Sequence, residues 1–212
     1  MKKFFVWPIA FLLCFASVAE AQQREYAYTC GKKNGTVTTS VAPLGNGELK
    51  VGIDINGEKS ELLCNGDYSC KSCEIADKRT GNELYYVLEN GVYRIRGNVK
   101  GKAVDKTVES SGNPWFQNLS VAIGRLSKKG ESFRFETFQP FGTDPVVMEA
   151  QTVSREKIGE RDVLLVRVSP VGALSKFWHG DYYVDEKDLS LVKYTSVEGA
   201  PAVTPRTTWI LK

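Results

Sequence analysis

Apolar and polar residues alternate with a period of two along much of this chain, and Asn-Gly pairs punctuate the alternating runs. The pairs are Asn34-Gly35, Asn46-Gly47, Asn56-Gly57, Asn65-Gly66 and Asn90-Gly91. A type I′ turn needs positive φ at both central positions, and Asn followed by Gly meets that at the lowest steric cost, so the pattern predicts strands paired in series as hairpins. Around Asn90-Gly91 the phasing sets Leu84, Tyr86 and Leu88 across from Gly97, Ile95 and Tyr93, leaving Glu89, Arg94 and Arg96 on the other face. Around Asn56-Gly57 it places Leu49, Val51, Ile53 and Ile55 opposite Cys64, Leu62, Ser60 and Glu58. With a turn at Asn34-Gly35, Tyr26, Tyr28 and Cys30 share a face with Thr39 and Val41. Strands with one apolar and one charged face belong to an antiparallel sheet with one wet side, and ordinary core is the plain reading of these rows.

The period changes once. Asn113-Pro114-Trp115 puts an N-cap residue before a proline at the first helical position. Trp115, Leu119, Ile123 and Leu126 then recur at helical spacing until Lys128, Lys129 and Gly130, which predicts one amphipathic helix near 114–129. Burying each of these side chains is worth ~1.5–3 kcal/mol, so the stripe must cover an apolar surface, most simply the inner face of the sheet. Strand patterns resume at 133–139, 146–155, 162–170, 176–184, 189–197 and 207–211.

The first residues read as a signal peptide over 1–21: Lys2 and Lys3 supply the charge, 4–16 the apolar stretch, and Ala19-Glu20-Ala21 the cleavage site before Gln22. Cys14 lies behind Leu12 and Leu13 rather than behind a small residue, which argues against a lipid anchor. No later run reaches the ~20 apolar residues of a spanning helix, so no transmembrane segment is expected in the mature chain. The expected location is the periplasm, or outside the cell if the protein is secreted onward, with residues 22–212 forming a single domain. Net charge is +3 over the whole chain and falls by one on leader removal, with Lys and Arg spread evenly. That excludes a nucleic-acid footprint. Two glycosylation-like triplets, Asn34-Gly35-Thr36 and Asn118-Leu119-Ser120, are incidental in a chain with a short, bacterial-looking leader.

A strand over 177–184 is turned by Asp185-Glu186-Lys187-Asp188 into Leu191-Val192-Lys193-Tyr194, and a last strand ends in Thr207-Thr208-Trp209-Ile210-Leu211-Lys212. With the hairpin series and the interrupting helix, this layout resembles the periplasmic outer-membrane lipoprotein carrier superfamily and its exported relatives, over roughly Tyr26 to Lys212. The resemblance implies a mainly all-β fold: a curved antiparallel sheet or half-barrel of hairpin-linked strands around an apolar cavity, with one covering amphipathic helix. Some members of that superfamily hold acyl chains there. Here the lid would be the single helix after Asn113, fewer than the carriers use.

Four cysteines remain after the leader: Cys30, Cys64, Cys70 and Cys73. An even number in an oxidising compartment predicts disulfides. The alternatives are a redox pair at Cys70-Lys71-Ser72-Cys73 or a four-thiolate zinc site. A Cys30–Cys64 bridge would contribute roughly 4 kcal/mol and a Cys70–Cys73 bridge about 2. Hairpin phasing points Cys30 and Cys64 toward apolar faces and favours that pairing. Since three cysteines crowd 64–73, full pairing requires the sheet to curl, or the loop to fold inward, so that one of them reaches Cys30.

His179 is the one histidine and shares a strand face with Asp181, but no nucleophile-elbow Ser or Cys accompanies it. No phosphate loop or calcium loop is present. No catalytic residue, metal or cofactor is expected. Candidate cavity-lining residues are Trp115, Leu119, Ile123, Tyr86, Ile95, Phe133 and Phe135. The leading expectation is a non-catalytic, lipid-binding protein of the cell envelope, whose partner is an apolar small molecule, acyl chain or lipoprotein tail. The rivals are an envelope scaffold with a filled core and a protein partner, and a thiol-redox or zinc protein using Cys70 and Cys73.

Overall fold

The computed structural model describes residues 21–127, 132–176, 178–198 and 205–212. The expected leader, all but its last residue, therefore lies outside the described residues, as do Lys128 to Gly130 and Phe177. Strands run β1 Gln22–Cys30, β2 Lys33–Pro43, β3 Leu49–Ile55, β4 Glu58–Cys64, β5 Cys70–Asp77, β6 Asn82–Glu89, β7 Val92–Val99 and β8 Lys102–Glu109. A helix, α1 Leu119–Leu126, precedes β9 Ser132–Phe138, β10 Pro145–Ile158, β11 Arg161–Pro170, β12 Trp178–Asp185, β13 Leu191–Glu198 and β14 Arg206–Leu211. They form one 14-stranded antiparallel sheet in the order β8-β7-β6-β5-β4-β3-β2-β1-β14-β13-β12-β11-β10-β9. Every ladder but β1 with β14 joins strands adjacent in sequence, as a hairpin-linked chain should.

Two hairpins keep the expected register: Leu84, Tyr86 and Leu88 face Gly97, Ile95 and Tyr93, and Leu49 faces Cys64. Asn56 and Asn90 take φ of 54° and 52°, followed by Gly57 at 90° and Gly91 at 77°, the left-handed pair that a type I′ turn requires. Asn34-Gly35 departs from expectation. The β1–β2 turn lies earlier, with Cys30 paired to Lys33, and Gly35 sits inside β2. A Cβ at Gly35 would lie 1.8 Å from Asn56 Oδ1, which instead accepts from the Thr36 N–H at 3.1 Å. Here the glycine serves close approach, not a turn.

The helix starts later than its sequence pattern predicts. Asn118, not Asn113, is the N-cap, accepting from the Ser120 N–H at 2.9 Å. Residues 114–117 are held by the free edge of β9. The Glu136 N–H donates to Pro114 O and the Phe116 N–H to Glu136 O, both at 2.9 Å. The Gln117 side chain donates to Phe138 O at 2.9 Å and accepts from the Phe138 N–H at 3.1 Å. An unpaired strand edge offers donors and acceptors that must be satisfied, and this segment supplies the partners.

The outward face carries ion pairs such as Lys50–Glu61, Arg96–Asp105, Arg134–Glu149 and Arg167–Asp181. Inward residues of both halves, including Tyr26, Val51, Leu62, Leu84, Ile95, Val168 and Val184, form one apolar core. The backbone ladder ends at β8 and β9, and side chains join the two ends. Phe138 of β9 packs on Tyr86 and Tyr93 at centroid distances of 4.8 and 4.9 Å. Lys106 of β8 reaches Asp144 at 2.7 Å, and the Tyr86 hydroxyl donates to Gly142 O at 3.0 Å.

Glu136 is the buried acid of this junction, 1% exposed. Its carboxylate accepts from the Tyr93 hydroxyl at 2.6 Å, the Ser110 hydroxyl at 2.7 Å and the Ser111 N–H at 2.6 Å. Burial alone would raise its pKa, but these three donors outweigh that and hold it below the ordinary value. Burial, and then the hydrogen bond to Glu136, push the Tyr93 hydroxyl up, so it remains a donor.

Glu136→Ala strands three donors and is expected to cost about 3–5 kcal/mol in chemical denaturation. With a depressed folded pKa, the contribution of the carboxylate is complete above its unfolded value near ~4.3 and is lost as pH falls through the folded value. The stability gap between wild type and Glu136→Gln should therefore narrow on acidification. A gap that widens below pH ~4 contradicts this role of the Glu136 carboxylate.

Candidate functional site

α1 caps one end of the rolled sheet. It is eight residues long and buries Ser120, Ala122, Ile123, Gly124 and Leu126. Gly124 permits the seating: a Cβ there would lie 2.0 Å from Leu189 O, in the loop joining β12 and β13. That loop is itself braced, with the Leu189 N–H donating to Asp185 O at 3.0 Å and the Ser190 N–H to Asp188 Oδ1 at 2.8 Å. The segment leading into α1 is tied to β5, through Cys70 N–H to Trp115 O at 2.7 Å and Gln117 N–H to Cys70 Sγ at 3.3 Å.

Of the cavity candidates, Trp115, Tyr86, Ile95, Ile123 and Phe135 are fully buried, while Leu119 and Phe133 are half-buried against the same core. Trp115 and Tyr86 meet Tyr93 and Phe138 in one aromatic cluster, with Tyr93 edge-on to Trp115 at 5.4 Å. Phe133 and Phe135 stack at 5.6 Å and pack on Phe116 in a second. Five of the seven thus belong to one apolar core, and the other two pack against it. The space beside them is modest. A cavity of about 90 Å³ lies between α1 and the inner face of β1 and β2, lined in part by Arg24, Thr39, Tyr68 and Arg125. A shallow cleft of about 270 Å³ lies on the charged outer face around Arg94, Arg96 and Asp105.

The lining of the smaller cavity was missed from sequence, although one signal exists. Arg24 shares the inward row of β1 with Tyr26 and Tyr28, where an alternating strand calls for apolar residues. A cation on the buried face is the informative exception.

The cysteines stand apart from the expected pairing. Cys30 pairs with Lys33, whereas Cys64 lies across from Leu49, which in turn faces Pro43. Lys33 and Pro43 are opposite ends of β2, so Cys30 and Cys64 are separated by on the order of 33 Å along the strands, far beyond disulfide reach. Cys70 and Cys73 occupy one strand, about 10 Å apart at ~3.3 Å per residue, which also exceeds bridging distance. A bulge explains why both face inward. Register slips between Leu63 and Cys64, leaving Lys71 as the extra residue and setting Cys64 against Cys70 with sulfurs 3.8 Å apart. All four are free thiols in this structure. Burial, and for Cys70 the neighbouring Cys64, push the Cys70 and Cys73 thiols up. Such thiols have little of the thiolate character that a redox nucleophile needs. Among the described residues no group of three or more His, Cys, Asp or Glu is placed to hold a metal ion.

His179 lies 4.0 Å from Asp181, but Asp181 is held by Arg167 through bonds of 2.8 and 3.1 Å. A carboxylate already engaged bidentately is a poor orienting partner for an imidazole base.

No protein-family model and no curated protein matches this chain. Solved structures do. A beta-barrel-like protein of domain of unknown function DUF1849 from Brucella abortus aligns over 90% of this chain and 94% of its own, with TM-score 0.61 and 9% identity. A DUF1329 family protein from Desulfovibrio piger covers 92% and 85% with TM-score 0.31 at 11% identity. A putative outer membrane lipoprotein-sorting protein domain from Vibrio parahaemolyticus covers 91% and 82% with TM-score 0.35 at 9% identity. The first likeness is one of fold alone, and the other two are too distant to carry an argument.

Peptide mapping of the unreduced protein is expected to join Cys64 to Cys70 and to leave Cys30 open to maleimide. A Cys30–Cys64 cross-link contradicts the strand register. His179→Gln is expected to leave stability and ligand binding near wild type. A loss of function at unchanged melting temperature and far-UV spectrum would require an imidazole-dependent mechanism instead.

Proposed function

We propose that this chain is an exported, non-catalytic binding protein of the periplasm that takes an apolar chain under α1. One observation carries the reading: the apolar interior is closed at this end by a helix of eight residues, not by the ladder, and a cavity lies at the margin of that helix. No helix among the described residues is long and apolar enough to cross a membrane. The energetics are matched. Lifting α1 exposes chiefly Ile123 and Leu126, roughly 3–6 kcal/mol at ~1.5–3 kcal/mol per side chain. About eight methylenes buried at ~0.8 kcal/mol each offset that. Acyl chains shorter than this should bind weakly, and longer ones should gain with each added carbon until the interior is full.

A second reading has its own support. The cluster of Trp115, Tyr86, Tyr93 and Phe138 packs tightly where the two sheet ends meet, as a scaffold with a packed core and a protein partner would require. Displacement of a fluorescent fatty acid by saturated alcohols of increasing length, with native mass spectrometry of the exported protein, separates the two. Affinity that rises beyond about eight carbons supports the binding protein. No binding at any length supports the scaffold.

A further inference from the structure

The cavity beside α1 combines charge and backbone strain in one place, with an orphan hydroxyl packed behind its wall. Its floor is the inner face of β1 and β2, where Arg24 lies across from Thr39 and Tyr26 across from Val37. Arg24 is half-buried, and a guanidinium turned toward an apolar interior is costly unless an anion accompanies it. Asp188, at the rim, is exposed, and one of its carboxylate oxygens is engaged by the Ser190 N–H. Burial tends to raise the Asp188 pKa, but the bonds from Ser190 and the nearby Arg24 and Arg161 outweigh it and hold the carboxyl below its ordinary value. A second cation, Arg125, reaches the cavity from α1 with its guanidinium 5.3 Å from the centre of the Tyr68 ring.

Beneath Arg24 lies the Tyr26 hydroxyl. Tyr26 is fully buried, and its hydroxyl sits beside Arg24 and Thr39 without a well-formed hydrogen bond to any group among the described residues. Buried hydroxyls are paired as a rule, and this one lies behind the cavity wall where its oxygen faces Arg24 and Thr39 and helps to position the guanidinium. Burial pushes its pKa up, which keeps the proton on it at neutral pH. Backbone strain gathers at the same cavity. Tyr68 and Leu189, both lining it, hold φ of 69° and 62°, in the left-handed region that bulky residues avoid. Strain of this kind persists where surrounding structure imposes it and collects at ligand clamps.

We propose that this cavity binds the anionic head of an amphiphile, a carboxylate or phosphate monoester, with Arg24 and Arg125 as counter-charges. The proposal names the ligand class for the binding reading above and rests on it for the tail alone. At about 90 Å³ the cavity has room for a head and little more. Gln22, Val41, Val121 and Leu189 complete its lining, and the three apolar side chains would meet the first carbons of a chain on the way beneath α1. A site for a free oxyanion alone has no use for that apolar rim.

Calorimetric titration of the purified mature protein with dodecyl phosphate, dodecanoate, dodecanol and inorganic phosphate tests this, in wild type, Arg24→Gln and Arg125→Gln. Arg125 is exposed, so its replacement keeps the test valid should Arg24→Gln fold poorly. The expected result is that dodecyl phosphate binds at least about tenfold more tightly than dodecanol, that each substitution removes about tenfold of that affinity, and that dodecanol binding is unchanged. Equal binding of dodecanol and dodecyl phosphate, unaffected by either substitution, overturns the head-group site and leaves the apolar-ligand reading standing. Inorganic phosphate that binds in an arginine-dependent way, with no amphiphile bound, supports the anion site and overturns its assignment to a lipid. No binding of any of the four overturns both.

Discussion

A sheet that curls without closing its ladder must satisfy two free edges, and in this protein one buried carboxylate joins them. Glu136 accepts from Tyr93 of β7, Ser110 beyond β8 and the Ser111 backbone, while its own backbone pairs with Pro114 and Phe116. Side chain and main chain of a single residue thus hold the β9 end, the β7–β8 end and the segment between them. A full complement of donors is what makes the buried charge tolerable, and removing any one of them transfers its desolvation cost to the fold. Because the segment so held leads directly into α1, the position of the helix over the interior follows from the same contact.

Much of the architecture could be read in the sequence because antiparallel hairpins are local. Asn56-Gly57 and Asn90-Gly91 specify their own turns, and the registers of β3 with β4 and β6 with β7 follow. Asn34-Gly35 misled because its glycine answers to Asn56 on a neighbouring strand, a tertiary demand that no local rule contains. The helix start was misplaced for a related reason. Asn113-Pro114-Trp115 is a sound N-terminal signal, but the free edge of β9 takes up those backbone groups first. The cysteine pairing depended on a bulge at Lys71 and on the direction of β2, neither of which spacing reveals. Arg24 was legible in principle, as a cation in an apolar row.

The interior differs in degree from the open pocket that a carrier-like layout implies. Its aromatic side chains meet one another, and the remaining space sits at the margin of α1 rather than at the centre. A ligand must therefore compete with protein for apolar contacts, which makes the seating of the helix the deciding quantity. That seating depends on Gly124 against Leu189 and on the tether from Cys70 to Trp115 and Gln117.

The central claim is that the junction around Glu136 and the seating of α1 form one cooperative unit. Native-state amide hydrogen exchange measures this directly. The Ser111, Phe116 and Glu136 amides should be protected as strongly as those of the β6–β7 ladder, and the Ser127 amide of α1 should open together with them, at one shared free energy. Rapid exchange at Ser111, Phe116 and Glu136, with α1 opening independently of them, would contradict the account.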